Sequence, residues 1–578
     1  MTRLVNDPAG FAGAALAEFA AINADRVALV RGGVVRARRA PGGQVAIVMG
    51  GGSGHFPAFA GWVGRGLGHG AACGNVFASP SENEVLTVAR AAEAGGGVLL
   101  VPINYAGDIL NFGAAAQRLA ADGTQARMVA VTDDIASAPA DARSLRRGIA
   151  GSLLVIKMAG AAAERGASLD EAGRVAVAAN DATRTFGVAF SGCTLPGGDG
   201  PLFTVPAGQM ALGLGIHGEP GLSQVPLGTA DEVADVLVDG LFAERSPRRG
   251  ARVALLVNGL GATKYDELHI VCARARARLA AEGMTAVAPL AGEYVTSLDM
   301  AGVSVSLAYL DDELESLWLS PVDAPALTRF AAGPWPAAPA ADATPPPGST
   351  AAAAAGPGPV AAVAAGSPAS ARAARLAAAA LERATARLAG QEASLGALDA
   401  VAGDGDHGAG MVRGARAATR AAAGAAGRGA GAGTTLRLAG EHWSDAAGGT
   451  SGALWGTGLA AAGASAGDDA DLGREAVVAA VRAFADAIIA RGGAAVGDKT
   501  MVDAIVPFAD ELGAAVARGL DLAAAWAAGA AAARSAAERT AQYVSARGRS
   551  RMHGGRSIGT PDPGAVSFAL IAEAALPA

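Results

Sequence analysis

The chain has 578 residues and a formal net charge of −7, from 46 lysines and arginines against 53 aspartates and glutamates. This acidic balance argues against a nucleic-acid scaffold, which is usually basic. Hydrophobic residues make up 51% of the chain, more than an intrinsically disordered protein contains. More than one domain is expected, since single domains run roughly 100–200 residues.

Membrane and secreted classes are also disfavoured. The mean hydropathy of +0.31 reflects an excess of alanine, and no stretch of about 18 apolar residues predicts a membrane helix. The segment Met1–Pro8 lacks the apolar core of a signal peptide. Cys73, Cys193 and Cys272 are too widely spaced for a disulfide framework or a zinc site. We therefore expect a cytoplasmic protein.

The first 333 residues predict an α/β domain. Short apolar runs alternate with helical patterns and indicate buried strands at residues 45–49, 97–101, 127–131 and 251–257. Continuous apolar strands between helices favour a largely parallel sheet that is covered on both faces. The length allows two α/β subdomains.

Residues 334–369 are rich in alanine, proline and glycine, which is typical of a linker that buries little surface. After this segment the strand patterns nearly vanish. Strong helix formers with apolar spacing near 3.6 predict helices at 370–388, 475–491 and 522–542. Residues 370–578 therefore predict an all-α helical bundle.

A glycine run, Gly50–Gly54, follows the first predicted strand and leads into His55. Its backbone amides could form a nest for an anion or a hydroxyl, or the glycines could simply make a tight turn. Ligand crevices of open α/β sheets lie at the carboxyl ends of strands, where both His55 and Asp108 fall. A histidine and a carboxylate suit acid–base work on a hydroxyl. The alternative role of Asp108 is a helix N-cap.

A second glycine-framed histidine is His217, in the turn-rich segment 216–221. A neutral imidazole there could act as a base, a ligand or a nucleophile. No neighbouring histidine or cysteine has metal-ligand spacing. A purely structural histidine is the alternative.

Three carboxylates, Asp399, Asp404 and Asp406, stand within eight residues among glycines. Converging anions repel, so a divalent cation is their natural counterion. An EF-hand is excluded because Ala415 occupies the position of its final glutamate. A magnesium site shared with phosphates is favoured, and an exposed acidic turn is the alternative.

Other loops of the helical half could add phosphate donors. They are the segments 448–452 and 497–501, the arginines Arg549 and Arg556, and the segment 562–564. Backbone amides at helix starts and basic side chains bind phosphates. Together with the carboxylates, these loops predict a magnesium–nucleotide pocket at one end of the bundle, without a P-loop.

Over nearly its whole length outside the linker, the chain resembles the single-chain ATP-dependent dihydroxyacetone (glycerone) kinases. Several long motifs in the right order are more specific than any one of them. The motifs that carry the resemblance are residues 50–55, 104–108, 193–197, 217–221, 296–300, 398–408, 449–452, 497–501, 556–559 and 562–564.

The resemblance implies roles in the first half. His217 would add through a ring nitrogen to the ketone carbonyl and form a hemiaminal, which excludes glycerol because an alcohol has no carbonyl. His55 and Asp108 would handle the proton of the terminal hydroxyl that attacks the γ-phosphate. The residues expected to contact the ketose are Gly52, Ser53, Gly54, His55 and Asp108.

In the second half, the resemblance implies that Asp399, Asp404 and Asp406 hold Mg²⁺, with two ions bridging the phosphates of the co-substrate ATP. The residues expected to line the nucleotide are His407, Gly408, Ala409, Gly410, Thr450, Ser451, Gly492, Met501, Arg549, Asp562, Pro563 and Gly564. The family architecture also implies a homodimer in which each helical domain could serve the ketose domain of its partner.

The chain departs from the family pattern near His55. Phe56, Phe59 and Trp62 stand where the family usually has glutamate, histidine and tyrosine, and Ile103 replaces a frequent lysine. These changes predict a substrate-pocket rim with fewer polar groups and more aromatic ones. A four-carbon ketose such as erythrulose is therefore a candidate substrate beside dihydroxyacetone.

Two other functions remain open from the sequence. Some relatives of these kinases are thought to cleave FAD to a cyclic flavin phosphate with a divalent metal. The chain could also be a non-enzymatic module that binds a sugar or a lipid. The three carboxylates argue against such a module, because a scaffold needs no cation site.

Overall fold

The structure is a computed structural model that describes residues 4–219, 221–330, 363–401, 403, 405–547 and 557–576. The chain divides into two compact units, Met1–Gly356 and Pro357–Ala578. Most of the expected linker lies outside the described residues, so its limits stay a prediction. Among the helices that are described, none combines the length and the apolar character needed to cross a membrane.

The first unit contains two large sheets, and the first of them carries the predicted N-terminal strands. Its strands are β1 (Val27–Val30), β2 (Gly33–Arg36), β3 (Ala46–Ser53), β4 (Gly70–Val76), β5 (Val98–Pro102) and β6 (Ala126–Met128). They lie in the order β1-β2-β4-β3-β5-β6, parallel from β4 to β6 and antiparallel at the β1–β2 edge. The strands predicted at 45–49 and 97–101 are confirmed, and the third is shorter than predicted.

Helices cover both faces of this sheet. The helices of the unit are α1 (Phe11–Ile22), α2 (Glu82–Ala92), α3 (Ala106–Ala121), α4 (Ser152–Glu164), α5 (Leu169–Ala182), α6 (Ala230–Glu244), α7 (Tyr265–Ala281) and α8 (Asp312–Trp318). Val48 of β3 shares a core with Phe112 of α3, whereas its neighbour Ile47 shares another core with Leu153 of α4. Successive side chains of a strand point to opposite faces, so two-sided burial requires the continuous apolar run that the sequence shows.

The second sheet is mostly antiparallel. Its strands are β7 (Thr183–Ala189), β8 (Gln209–Leu212), β9 (Ser223–Pro226), β10 (Arg252–Gly259), β11 (Thr285–Ala286), β12 (Leu290–Gly292) and β13 (Gly302–Leu310), and a separate hairpin joins β14 (Val322–Ala324) to β15 (Leu327–Arg329). The order is β11-β10-β13-β7-β8-β9. Within the described residues, β11 and β12 each pair with β10 in parallel, and the other pairs are antiparallel. The prediction of a largely parallel arrangement is therefore wrong for this sheet.

Burial on both faces explains that error. On β10, Val253 and Leu255 pack into the core under α6 and α7, while Ala254 and Leu256 pack into the core on the other face. An antiparallel strand that is covered on both sides has the same apolar composition as a parallel one. The run at 251–257 therefore predicts a buried strand correctly but does not fix its direction.

The second unit is helical where it is described, as predicted. Its helices are α9 (Pro368–Ala389), α10 (Glu392–Asp399), α11 (His407–Gly427), α12 (Ala432–Ala447), α13 (Gly449–Ala466), α14 (Arg474–Gly492), α15 (Val502–Ala517), α16 (Leu522–Arg539) and α17 (Pro563–Ala574). The predicted helices correspond to α9, α14 and α16. In the core, Trp443 stacks on Trp455 with ring centroids 4.7 Å apart.

Lys157 is a buried amine on α4. Its Nζ donates to the carbonyl oxygen of Leu317 at 2.9 Å. Burial, with added repulsion from Arg329 and Arg165, lowers the pKa of Lys157 from 10.5 to about 7. The unfolded chain keeps an ordinary lysine pKa, so between these two values the unfolded state binds more protons than the folded state. Stability should therefore rise with pH across that window.

We expect Lys157→Met to raise the thermal unfolding midpoint at pH 7 and to have a much smaller effect at pH 9.5. Each unit of pKa shift corresponds to about 1.4 kcal/mol, and the pKa of Lys157 falls from 10.5 to about 7. The cost of burying the amine that the variant removes therefore exceeds the roughly 1 kcal/mol lost with its hydrogen bond. Calorimetry at both pH values measures the difference. Lys264→Met, which removes an exposed amine, is the control, and an equal gain at both pH values would contradict the expectation.

Candidate active site

The glycines that precede His55 belong largely to strand β3. Gly50 and Gly51 pair with β4 inside the sheet, so their backbone amides do not belong to the predicted anion-binding nest. A Cβ on Gly51 would lie 2.5 Å from Phe59 Cε2, and one on Gly52 would lie 2.7 Å from the Ala78 nitrogen. These glycines therefore permit close packing beneath the site. Gly54 then turns the chain with a φ of +96°, which glycine adopts without strain.

His55 is fully buried and contacts the second predicted histidine directly. Its Nδ1 lies 2.7 Å from the carbonyl oxygen of Thr296, and its Nε2 lies 2.9 Å from Nε2 of His217. The ring of Phe77 stacks on His55 with centroids 5.0 Å apart. The two histidines that the sequence places in separate glycine-rich segments thus form one pair.

His217 is held from its other side by a carboxylate. Its Nδ1 lies 3.1 Å from Glu219 Oε1, and its backbone N–H donates to Glu219 Oε2 at 3.0 Å. The rings of Tyr105 and Phe77 pack against the imidazole with centroids 4.8 and 5.0 Å away. A carboxylate at Nδ1 fixes that nitrogen as a donor, which leaves Nε2 as the nitrogen that faces His55.

Asp108 is the third residue of α3 and is buried, with 4% of its surface exposed. The N-cap of α3 is Tyr105, so the alternative role of Asp108 as the N-cap is wrong. Strands β3 and β5 are parallel neighbours, so His55 and the start of α3 both lie beyond the carboxyl ends of these strands, at the same end of the sheet. Ser53, at the end of β3, donates its hydroxyl to the Gly74 carbonyl at 2.6 Å.

Three charged residues that support His217 received no role from the sequence. Arg147 Nη1 lies 3.5 Å from Glu219 Oε2, and Nη2 of the same guanidinium donates to Asp134 Oδ2 at 2.8 Å. All three side chains are buried. Glu219 follows His217 by two residues inside a conspicuous motif, so its role was within reach of the sequence. Arg147 and Asp134 are distant in the chain and belong to no such motif.

Most of the aromatic departures near His55 lie in the core and not on a pocket rim. Phe59 and Trp62 are 3% and 0% exposed, and their rings meet edge to face at 5.4 Å. Ile103 is 3% exposed. Phe56 is the exposed one, at 60%, and it packs against Phe19. The predicted gain of aromatic groups at a rim is therefore wrong for Phe59 and Trp62.

The acidic cluster of the second unit lies between α10 and α11. Asp399 is the last residue of α10, and Asp406 is the N-cap of α11. Desolvation, with repulsion from Asp399, raises the pKa of Asp406 to about 7. The backbone N–H of His407 donates to Asp399 Oδ2 at 3.4 Å. Asp404 lies outside the described residues.

Asp562, the N-cap of α17, faces the same cluster. Desolvation raises its pKa to about 7, Asp503 and Asp399 add repulsion, and Lys499 opposes it. Half-buried carboxylates that repel one another are a suitable donor set for a divalent cation such as Mg²⁺. Among the described residues, no three metal-binding side chains form a group that could hold an ion. The third predicted carboxylate, Asp404, is not among the described residues.

The residues expected to line the nucleotide lie mainly at helix ends. The first turns of α11, α13 and α17 contain His407, Gly408, Ala409, Gly410, Thr450, Ser451, Pro563 and Gly564. Helix N-termini present backbone amides that bind phosphate oxygens. Gly492 ends α14, and Arg549 lies outside the described residues.

Two contacts bring several of these helix ends together. His407 Nε2 lies 2.9 Å from Ser567 Oγ, which joins the start of α11 to α17. A Cβ on Gly564 would lie 3.4 Å from Met501 Cβ, which places the loop before α15 beside α17. Lys499, which the sequence named only as part of the phosphate-donor segment 497–501, is buried there and donates its Nζ to the carbonyl oxygens of Tyr543 and Ser557.

Comparison with known proteins agrees with both halves of the chain. Residues 17–326 match the Dak1 domain, and residues 401–577 match the DAK2 domain. An L-erythrulose 1-kinase of Mycolicibacterium smegmatis is 53% identical over 99% of both chains. A D-erythrulose kinase of the same organism is 50% identical over 99% of this chain and 97% of its own.

A solved structure extends the likeness to the fold. The dihydroxyacetone kinase from C. freundii, in complex with AMP-PNP and Mg²⁺, covers 99% of both chains with 30% identity and a TM-score of 0.51. With a Dak1 domain followed by a DAK2 domain, the protein is a kinase of the two-domain type. The chain belongs to the single-chain dihydroxyacetone kinase family. The resemblance and the fold class expected from the sequence are thereby confirmed.

Proposed function

We propose that this protein is an ATP-dependent kinase that phosphorylates a terminal hydroxyl of a short ketose, either dihydroxyacetone or a tetrulose such as erythrulose. The observation that carries the proposal is the setting of His217, a buried imidazole with Nδ1 held by Glu219 and Nε2 facing His55. The two erythrulose kinases at 53% and 50% identity favour the four-carbon substrate.

His217 would capture the ketose as a hemiaminal. Its Nε2 adds to the carbonyl carbon, and the carbonyl oxygen becomes a hydroxyl. Glu219 is placed to stabilise the imidazolium character that this addition creates, because its carboxylate already accepts from Nδ1. Glycerol has no carbonyl, so it cannot be captured in this way.

His55 and Asp108 would then act on the terminal hydroxyl that attacks the γ-phosphate. Both are buried, beyond the carboxyl ends of the neighbouring strands β3 and β5 of the first sheet. A positioned base that removes the hydroxyl proton typically contributes 10²–10⁴-fold, roughly, to such a transfer. Gly52, Ser53 and Gly54 would bound the ketose on the β3 side.

The second unit would bind ATP at the ends of α11, α13 and α17. Asp399, Asp404 and Asp406 would hold Mg²⁺, and we expect two ions. When bound, Mg²⁺ neutralises phosphate charge and polarises the γ-phosphoryl group. The AMP-PNP and Mg²⁺ of the C. freundii enzyme support this assignment. Main-chain amides of the helix starts would contact the phosphates.

The domain assignment follows from these roles. We propose residues 1–333 as the ketose-binding domain, 334–369 as a linker and 370–578 as the nucleotide-binding domain. We also propose a homodimer, for which sedimentation velocity is the direct test. A single species with the mass of one chain at micromolar concentration would contradict the dimer.

A ketose panel tests the function. Purified protein with ATP and Mg²⁺ should release ADP with dihydroxyacetone, L-erythrulose or D-erythrulose, and should not do so with glycerol. The enantiomers also separate the two erythrulose specificities. An absence of ADP release with all three ketoses would refute the kinase proposal. Incubation with FAD and Mn²⁺ tests the alternative, because a cyclic flavin phosphate would form without any ketose.

A further inference from the structure

Two acceptors lie at the outer ends of the pair formed by His55 and His217. The Thr296 carbonyl oxygen is 2.7 Å from Nδ1 of His55, and Glu219 Oε1 is 3.1 Å from Nδ1 of His217. A carbonyl oxygen and an ionised carboxylate can only accept hydrogen bonds. Each Nδ1 must therefore carry a proton.

The inner ends of the pair require one more proton. The two Nε2 atoms are 2.9 Å apart, within the range of a hydrogen bond, and one of them must donate. Two neutral imidazoles carry two ring protons, whereas this chain of three hydrogen bonds needs three. We propose that the ketose-free His55–His217 pair holds three ring protons and one shared positive charge at neutral pH.

The charged groups around the pair match this inventory of three ring protons and one positive charge. Glu219 lies beside His217, Arg147 lies behind Glu219, and Asp134 pairs with Arg147 on its far side. The two carboxylates thus balance the guanidinium and the charge on the histidine pair. Tyr105, the N-cap of α3, packs its ring against His217, and Asp108, three residues further along, is buried as well. Glu219 acts through His217 and is therefore a positioning residue.

A pair with three ring protons also determines how protons move when the ketone is captured, and this step rests on the proposed function. With the inner proton on His55, the lone pair of His217 Nε2 forms a bond to the carbonyl carbon. The π electrons of the carbonyl move to its oxygen, which takes the inner proton from His55 Nε2. His217, now bonded to carbon and still protonated at Nδ1, carries the positive charge beside Glu219. His55 is left neutral, with a free lone pair on Nε2.

Capture therefore converts His55 from an acid into a base. The proton that His55 surrenders to the hemiaminal oxygen leaves the nitrogen able to accept the proton of the terminal hydroxyl. A polyol such as glycerol triggers no such transfer and leaves His55 protonated. The enzyme would then select for a carbonyl compound twice. Only a ketone is bound covalently by His217, and only its capture leaves His55 able to act as a base.

The inventory can be measured without substrate. Nitrogen NMR of the full chain with ¹⁵N-labelled histidine at pH 7 should show both Nδ1 atoms protonated and one further proton shared between the two Nε2 atoms. His55→Asn and His217→Asn assign the signals. Two protonated and two unprotonated nitrogens would overturn the proposal. Because no ketose is present, this result is independent of whether the enzyme phosphorylates one.

Glu219→Gln tests the carboxylate. We expect the variant to lose one ring proton at pH 7 and to form the ketone adduct roughly 10- to 100-fold less, as for a lost charge-assisted hydrogen bond. Glu219→Asp should recover part of both, and the exposed Glu232→Gln is the control for charge. Three ring protons in Glu219→Gln would refute the role of Glu219. If wild type shows three protons but phosphorylates no ketose, the inventory stands and the proposed function fails.

Discussion

His217→Ala is expected to abolish covalent capture of the ketone and to lower kcat/KM for the ketose by at least roughly a thousandfold. The imidazole is the group proposed to bond the substrate, and alanine offers neither a nucleophile nor a donor to Glu219. Intact-protein mass spectrometry after incubation with erythrulose measures the adduct, and ADP release measures turnover. Binding of a non-hydrolysable ATP analogue should not change, since the second unit is proposed to bind it.

His269→Ala is a matched control for that experiment. His269 lies on α7, is exposed and pairs edge to face with Tyr265. The control should retain the adduct and the turnover. The same adduct mass in His217→Ala as in wild type would contradict the assignment of His217. Circular dichroism of both variants checks that the first unit stays folded, since analogue binding reports on the second unit.

The sequence predicted the members of the first site better than their contacts. His55, Asp108 and His217 each stood out because glycines or a strand end framed them. The close approach of His55 to His217 depends on Thr296, which lies before β13, and on Glu219. Such long-range contacts follow from how two sheets pack within one unit. A local pattern of residue types contains no information about them.

The same limit applies to side-chain exposure. The substitutions Phe59 and Trp62 were visible in the sequence, but their packing against each other in the core was not. An aromatic residue in a turn-rich segment can line a pocket or fill a core, and composition does not separate these outcomes. Ile103 is a third example, since it is buried as well.

In the second unit, the helical character was predicted because alanine-rich segments favour helices that end at glycine-rich segments. Lys499 was missed as a buried side chain. It occupies a left-handed backbone position, with φ of +60°, and donates to two carbonyl oxygens of later loops. Neither property can be predicted from a lysine in a loop, which is usually exposed.

Asp406→Asn is expected to weaken binding of the ATP analogue at millimolar Mg²⁺ by at least roughly tenfold. Changes even in groups that only support metal ligands cost about 10–100-fold in metal affinity, and Asp406 is proposed as a ligand itself. Calorimetry with Mg²⁺ and with EDTA measures the effect. In EDTA the variant and wild type should bind the analogue with similar, low affinity.

Stability separates this effect from unfolding. In the metal-free protein Asp406 repels Asp399, so removing its charge should leave the thermal midpoint unchanged or raise it. The exposed Asp469→Asn is the control and should bind the analogue like wild type. The ketone adduct on His217 should also survive in Asp406→Asn, because capture is proposed to need only the first unit. Unchanged analogue affinity in Mg²⁺ would remove Asp406 from the metal site, whereas loss of the adduct would show that capture depends on the nucleotide half.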